Sequence, residues 1–99
     1  MNLTELYLDA AKFEATVNHY RRLTKIAERI SKRLRNRIVI ASRITHEQEN
    51  MSKPISERHG FENINLNHYK EQMQMNEGMI EVLQSALEVS GRTYPQHQQ

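Results

Sequence analysis

The stretch HYRRLTKIAERISKRLRNRIVIASRI, residues 19–44, decides the fold because it carries two regular patterns at once. It holds nine of the chain's fourteen Lys and Arg residues and a single acid, Glu28. Its apolar residues recur every three or four positions, the spacing of one face of an α-helix at about 100° per residue. The stretch is therefore predicted to form an amphipathic helix whose solvent face is cationic.

A helical wheel divides this stretch into two faces. The apolar face, predicted to pack inside the protein, consists of Tyr20, Leu23, Ala27, Ile30, Leu34, Ile38, Ala41 and Ile44. The cationic face consists of Arg21, Arg22, Lys25, Arg29, Lys32, Arg33 and Arg43. Ile26, Val39 and Ile40 fall beside the apolar face, and we expect them to contact a partner or a second subunit.

The helix is predicted to begin near the start of the chain and to run from about residue 3 to 46. Asn2 is the expected N-cap, with Glu5 three residues later. Apolar residues follow at seven-residue steps from Leu6 to Ala41, and no Gly or Pro precedes Pro54. One unbroken helix of about 60 Å, at about 1.5 Å per residue, is too long for a compact monomer. It must kink or pack against another copy.

A second helix is predicted over residues 61–90, after a linker at 47–60 that contains Pro54 and Gly60. Its apolar series is Leu66, Tyr69, Met73, Ile80, Leu83 and Leu87. Asn76 occupies the gap in that series. A buried Asn there fixes helix register, but we favour the interpretation in which Asn76 faces water. Met75 and Met79 lie beside the series and are predicted partner contacts. Residues 92–99 are predicted to be a disordered tail.

These patterns predict a single all-α domain over residues 1–91. The expected architecture is a long antiparallel helical hairpin that completes a coiled-coil-like helical bundle by homodimerisation. The alternative is a monomeric three-helix bundle in which residues 3–19 fold back on the rest.

Charge is distributed unevenly along the chain. Residues 21–43 have a net charge of +8, whereas residues 44–90 have eight acids and three bases. Either the second helix covers the bases of the first, or the bases face an anionic partner. The chain has no Cys and no apolar run long enough for a membrane span, so we expect a cytoplasmic protein with no membrane partner.

The sequence contains no catalytic constellation, phosphate-binding loop or metal-ligand spacing. We therefore expect no enzyme, cofactor, metal or small-molecule substrate. The leading hypothesis is a small binding protein that docks its cationic face on nucleic acid or on nucleic-acid-handling machinery. The alternative is a protein–protein inhibitor or chaperone-like module that acts through apolar helix surfaces. Small size, long helices and lopsided charge resemble the general style of accessory proteins of phages and mobile elements.

Overall fold

Two long helices form an antiparallel hairpin in the computed structural model, which describes residues 2–92. Helix α1 spans Leu3–Met51 and helix α2 spans Glu62–Arg92, with one short 3-10 turn at Ile55–Glu57 between them. No strand occurs in this part of the chain. The predicted all-α helical hairpin is confirmed.

Helix α1 is continuous over 49 residues. It begins where predicted, since the Asn2 side-chain oxygen accepts a hydrogen bond from the Glu5 backbone N–H at 2.9 Å. It ends five residues later than predicted, at Met51, because no helix-breaking residue precedes Pro54. The alternative in which residues 3–19 fold back is wrong, since they extend the same helix.

The two helices meet along a seam with alternating spacings of three and four residues, the pattern of coiled-coil packing. On α1 the buried and half-buried seam residues are Leu23, Ile26, Ile30, Arg33, Arg37, Ile40, Ile44 and Glu47. On α2 they are Leu66, Tyr69, Met73, Asn76, Ile80, Leu83 and Leu87. Only Ile40, Leu66 and Ile80 are buried apolar residues in the hairpin.

The apolar face predicted for α1 is therefore only partly correct. Leu23, Ile30 and Ile44 do face α2, but Leu34 and Ile38 are exposed and Ile38 retains 69% of its surface. Ile40, predicted to lie outside the packed face, is 2% exposed and packs in the seam. The helical wheel merged two neighbouring apolar series into one. Arg33 and Arg37 lie in the seam, and their charge made the seam resemble the solvent face.

Asn76 is buried at the centre of the seam, so the interpretation that it faces water is wrong. Its side-chain oxygen accepts a hydrogen bond from the Asn36 amide at 3.2 Å. Its own amide donates to the Arg33 backbone carbonyl at 2.9 Å. These bonds satisfy a group that is costly to bury alone, and they align α2 against α1 at one register.

The buried Glu47 carboxylate of α1 forms hydrogen bonds with both the linker and α2. Glu47 accepts hydrogen bonds from His59 at 2.9 Å and from the Asn65 amide at 3.2 Å. Gly60 has a φ of +88°, a conformation that favours glycine. Residues 47–51, predicted to be linker, form the last turns of α1 because Glu47 gains these partners there.

The hairpin is strongly elongated, with extents of 83 × 16 × 14 Å and a radius of gyration of 23.3 Å. A compact domain of about 100 residues has a radius of gyration of roughly 13 Å. Because Asn36 faces Asn76, Arg92 at the end of α2 reaches only the level of about residue 20 of α1. The first turns of α1 extend beyond it.

Replacing Asn76 with Ala tests the role of the buried amide. We expect Asn76→Ala to lower the free energy of unfolding by about 1–3 kcal/mol, because both hydrogen bonds disappear and a cavity forms. Asn67→Ala, at an exposed position of α2, is the matched control and should change it by less than about 0.5 kcal/mol. Urea unfolding followed by circular dichroism at one chain concentration measures both, and equal effects would contradict this role.

Candidate nucleic-acid interface and apolar surfaces

The seven residues predicted to form the cationic face lie along one side of α1. Six are exposed, and Arg33 is half-buried where its backbone carbonyl binds Asn76. From Arg21 to Arg43 they extend over about 33 Å, at about 1.5 Å per residue. Six of them lie between Arg21 and Arg33, over about 18 Å, and Arg43 follows about 15 Å farther along the same side of the helix.

Helix α2 leaves this row uncovered within residues 2–92. None of the seven bases is paired with a carboxylate there. The one interhelix Arg–Glu bridge joins Arg37, on the seam, to Glu77 through bonds of 2.6 and 2.7 Å. That hydrogen bond raises the pKa of Arg37 above its ordinary value. Arg43 lies over the Tyr69 ring, 5.9 Å from its centre, a cation–π contact.

Three acids of α2 point away from the cationic face because of their positions around the helix. At about 100° per residue, Glu77, Glu81 and Glu88 point roughly opposite to Met75 and Met79. Beside Arg29, Lys32 and Arg33 the side of α2 is therefore apolar, and these three acids border the other edge of α1. Glu71, one turn before Met75, is exposed and forms no salt bridge with the bases in the described hairpin.

A groove runs between the cationic face and this apolar side of α2. Its walls are formed by Arg29, Lys32, Arg33, Met75, Gly78, Met79, Val82 and Leu83. Gly78 lies in the wall of the groove, and no atom lies within 4 Å of the position that a Cβ would occupy there. The groove combines an apolar floor with cations on one rim.

The residues predicted as partner contacts fall into two groups. Val39, Met75 and Met79 are exposed, with Met75 at 68%, and their role as partner contacts stays a prediction. Ile40 is buried and Ile26 half-buried against α2, so the hairpin itself covers them.

A second row on α1, here called the outer stripe, is apolar except at Thr24 and Ser31 and is exposed along its whole length. Its spacings alternate between three and four, as in the seam, and it lies about 100° around the helix from the seam. Its members are Leu3, Leu6, Ala10, Phe13, Val17, Tyr20, Thr24, Ala27, Ser31, Leu34, Ile38 and Ala41. The seven-residue steps from Leu6 to Ala41 were visible in the sequence, but they were assigned to the packed face.

No group of three or more His, Asp or Glu side chains is placed to hold a metal ion among residues 2–92. Over the same range, neither helix has a segment long and apolar enough to cross a membrane. Comparison of the chain with protein-family models, curated protein sequences and solved structures finds no match.

Gly78 lies in the interior of α2, where glycine is less favourable than alanine. We expect Gly78→Ala to raise the free energy of unfolding by about 0.5–1 kcal/mol, because Ala loses less backbone entropy than Gly in a helix and meets no clash here. Thermal and urea unfolding measure the change. Gly91→Ala, in the last turn described for α2, should give a smaller gain, and destabilisation by Gly78→Ala would show that its Cβ does meet a neighbour.

Proposed function

We propose that this chain is a small, non-enzymatic helical binding protein that docks its cationic face on nucleic acid or on the machinery that handles it. The observation that carries the proposal is the row of seven bases, none of which is paired with a carboxylate in the described hairpin. Unpaired cations along a rigid helix are free to meet an external polyanion.

The length of the row fits a duplex. Its span of about 33 Å is close to one turn of duplex, roughly 34 Å. Each phosphate that a base neutralises releases counterions and adds affinity. Few amide or aromatic side chains accompany the bases, so we expect recognition of the backbone and its shape, with little reading of sequence.

Salt and charge reversal test this proposal. If about four phosphates are contacted, affinity for a short duplex should fall by about 100-fold between roughly 50 and 200 mM salt. Arg29→Glu combined with Lys32→Glu should abolish binding, because both side chains are exposed at the centre of the row. Fluorescence anisotropy with a labelled duplex measures both effects.

The matched control changes the same net charge elsewhere. Lys53→Glu with Lys70→Glu alters exposed residues outside the cationic face and should weaken binding far less. Equal losses in the two double variants would mean that net charge alone, and no defined face, drives the interaction. Binding that survives Arg29→Glu with Lys32→Glu would contradict the proposal.

A second candidate function is favoured by the groove beside Met75 and Met79. An apolar floor with a cationic rim fits an amphipathic helix that carries acids along one edge. In this role the chain is a protein–protein inhibitor or chaperone-like module. Methionine suits such a surface because its side chain adapts to different partners.

Affinity capture from a cell extract separates this candidate from the first. We expect a protein partner to remain bound at high salt, because burial of apolar surface is little screened by ions. Met75→Gln with Met79→Gln should release that partner, whereas Arg29→Glu with Lys32→Glu should weaken it less. Loss of all partners at high salt would exclude the candidate.

We further propose that the chain acts as a homodimer, since one hairpin buries only three apolar residues and exposes many large ones. Such a short and extended chain gains most of its stabilising burial from a second subunit. An accessory role in the cytoplasm, in a phage or mobile element, is supported by the small size and the lopsided charge.

A further inference from the structure

We propose that a second copy of this chain packs on the outer stripe, antiparallel, with Leu6 of each copy opposite Ile38 of the other. The inference rests on the homodimer proposed above and adds its face, direction and register. The outer stripe continues for about 57 Å, at about 1.5 Å per residue. Repeats of three and four residues sustained over that length are typical of a coiled-coil seam.

The position of the outer stripe leaves room for another helix. It is separated from the seam with α2 by about 100° around α1. In a bundle of four helices each helix packs against two neighbours, and the two packing faces lie about 90° apart around its axis. The two rows on α1 are separated by about that angle. Helix α2 therefore does not obstruct a second copy.

Charge selects the antiparallel direction. In a parallel dimer the two segments 21–43, each with a net charge of +8, would run side by side. In the antiparallel dimer each of these segments lies against residues 3–20 of the other copy. That segment carries three acids, Glu5, Asp9 and Glu14, and one base, Lys12. The two segments of net charge +8 are thereby kept apart along the dimer.

Side-chain size selects the register. In five of the six facing pairs a larger residue lies opposite a smaller one, and Leu6 with Ile38 is the one pair of two large residues. The facing pairs are Leu3 with Ala41, Leu6 with Ile38, Ala10 with Leu34, Phe13 with Ser31, Val17 with Ala27 and Tyr20 with Thr24. If one helix is shifted by seven residues along the other, Ala10 faces Ala41 and Phe13 is crowded against Ile38. Leu6 then has no facing residue in the outer stripe of the other copy.

This arrangement uses the extension of α1 beyond α2. The first turns of one copy lie along residues 24–41 of the other, where that copy's own α2 is already packed. Each end of the dimer then contains three helices in place of two. The apolar residues exposed in the single hairpin, such as Leu6 and Ile38, become covered.

Disulfide trapping tests both direction and register, since the chain contains no Cys. Leu6→Cys and Ile38→Cys chains, mixed, denatured together, refolded and oxidised, should give a mixed disulfide dimer. Each variant alone should give none, because two copies of the same position are separated by about 48 Å in the antiparallel dimer. Leu6→Cys mixed with Val82→Cys is the matched control, since Val82 is as exposed as Ile38, both at 69%.

A charge in the outer stripe tests the same face without a covalent bond. Ile38→Glu should weaken dimerisation at least about 100-fold, because two apolar contacts per dimer are lost. Val82→Glu should leave dimerisation unchanged. Sedimentation equilibrium measures association, and circular dichroism at matched chain concentration verifies that both variants remain helical.

The outcomes distinguish this inference from the broader proposals. A dimer with a Leu6→Cys self-crosslink, or one that persists in Ile38→Glu, would overturn the inference and leave the homodimer standing. A wild-type chain that is monomeric at every concentration would overturn both. Neither result touches binding of a duplex, which is measured separately on the cationic face.

Discussion

The structure depends on one constraint, which is that α1 carries two apolar rows and its own chain supplies a partner for one. The seam row packs on α2 around Ile40 and Ile80. The outer stripe, about 100° away, has the same three–four spacing and stays exposed. The hairpin is 83 Å long and has a thin core, and we propose that a second subunit covers the row that stays exposed.

Polar residues within the seam determine how the helices align and where the charge is left. Asn76 is buried and forms hydrogen bonds with the opposite helix, and Glu47 is buried and accepts one from the linker. A shift of one helix along the other would break these bonds. Arg37 forms a salt bridge with Glu77 at the acidic edge of the seam. At the other edge the bases form no salt bridge within residues 2–92 and lie beside an apolar groove, and this is the side that we propose binds a polyanion or an acidic helix.

The sequence alone predicted the helices, the hairpin and the N-cap at Asn2, because these depend on local spacing and capping. It failed where two overlapping periodicities had to be separated. Arg33 and Arg37 lie in the seam, although a helical wheel assigns charged residues to the solvent face. Ile38 was predicted to be a core residue and is exposed. Asn76 was assigned to water because its partners, Asn36 and the Arg33 carbonyl, are remote in sequence. The seven cations were identified, but only the structure places three acids of α2 on the opposite edge.

The measurement that tests this account most directly is the mass of the native chain, by light scattering during size-exclusion chromatography over a wide range of concentrations. If the outer stripe is a second seam, the mass is twice the 11.7 kDa of one chain. The elongated dimer should also elute earlier than a compact protein of that mass. A mass of one chain at all concentrations, with helicity intact, would contradict the account, because the outer stripe would then remain exposed in a stable protein.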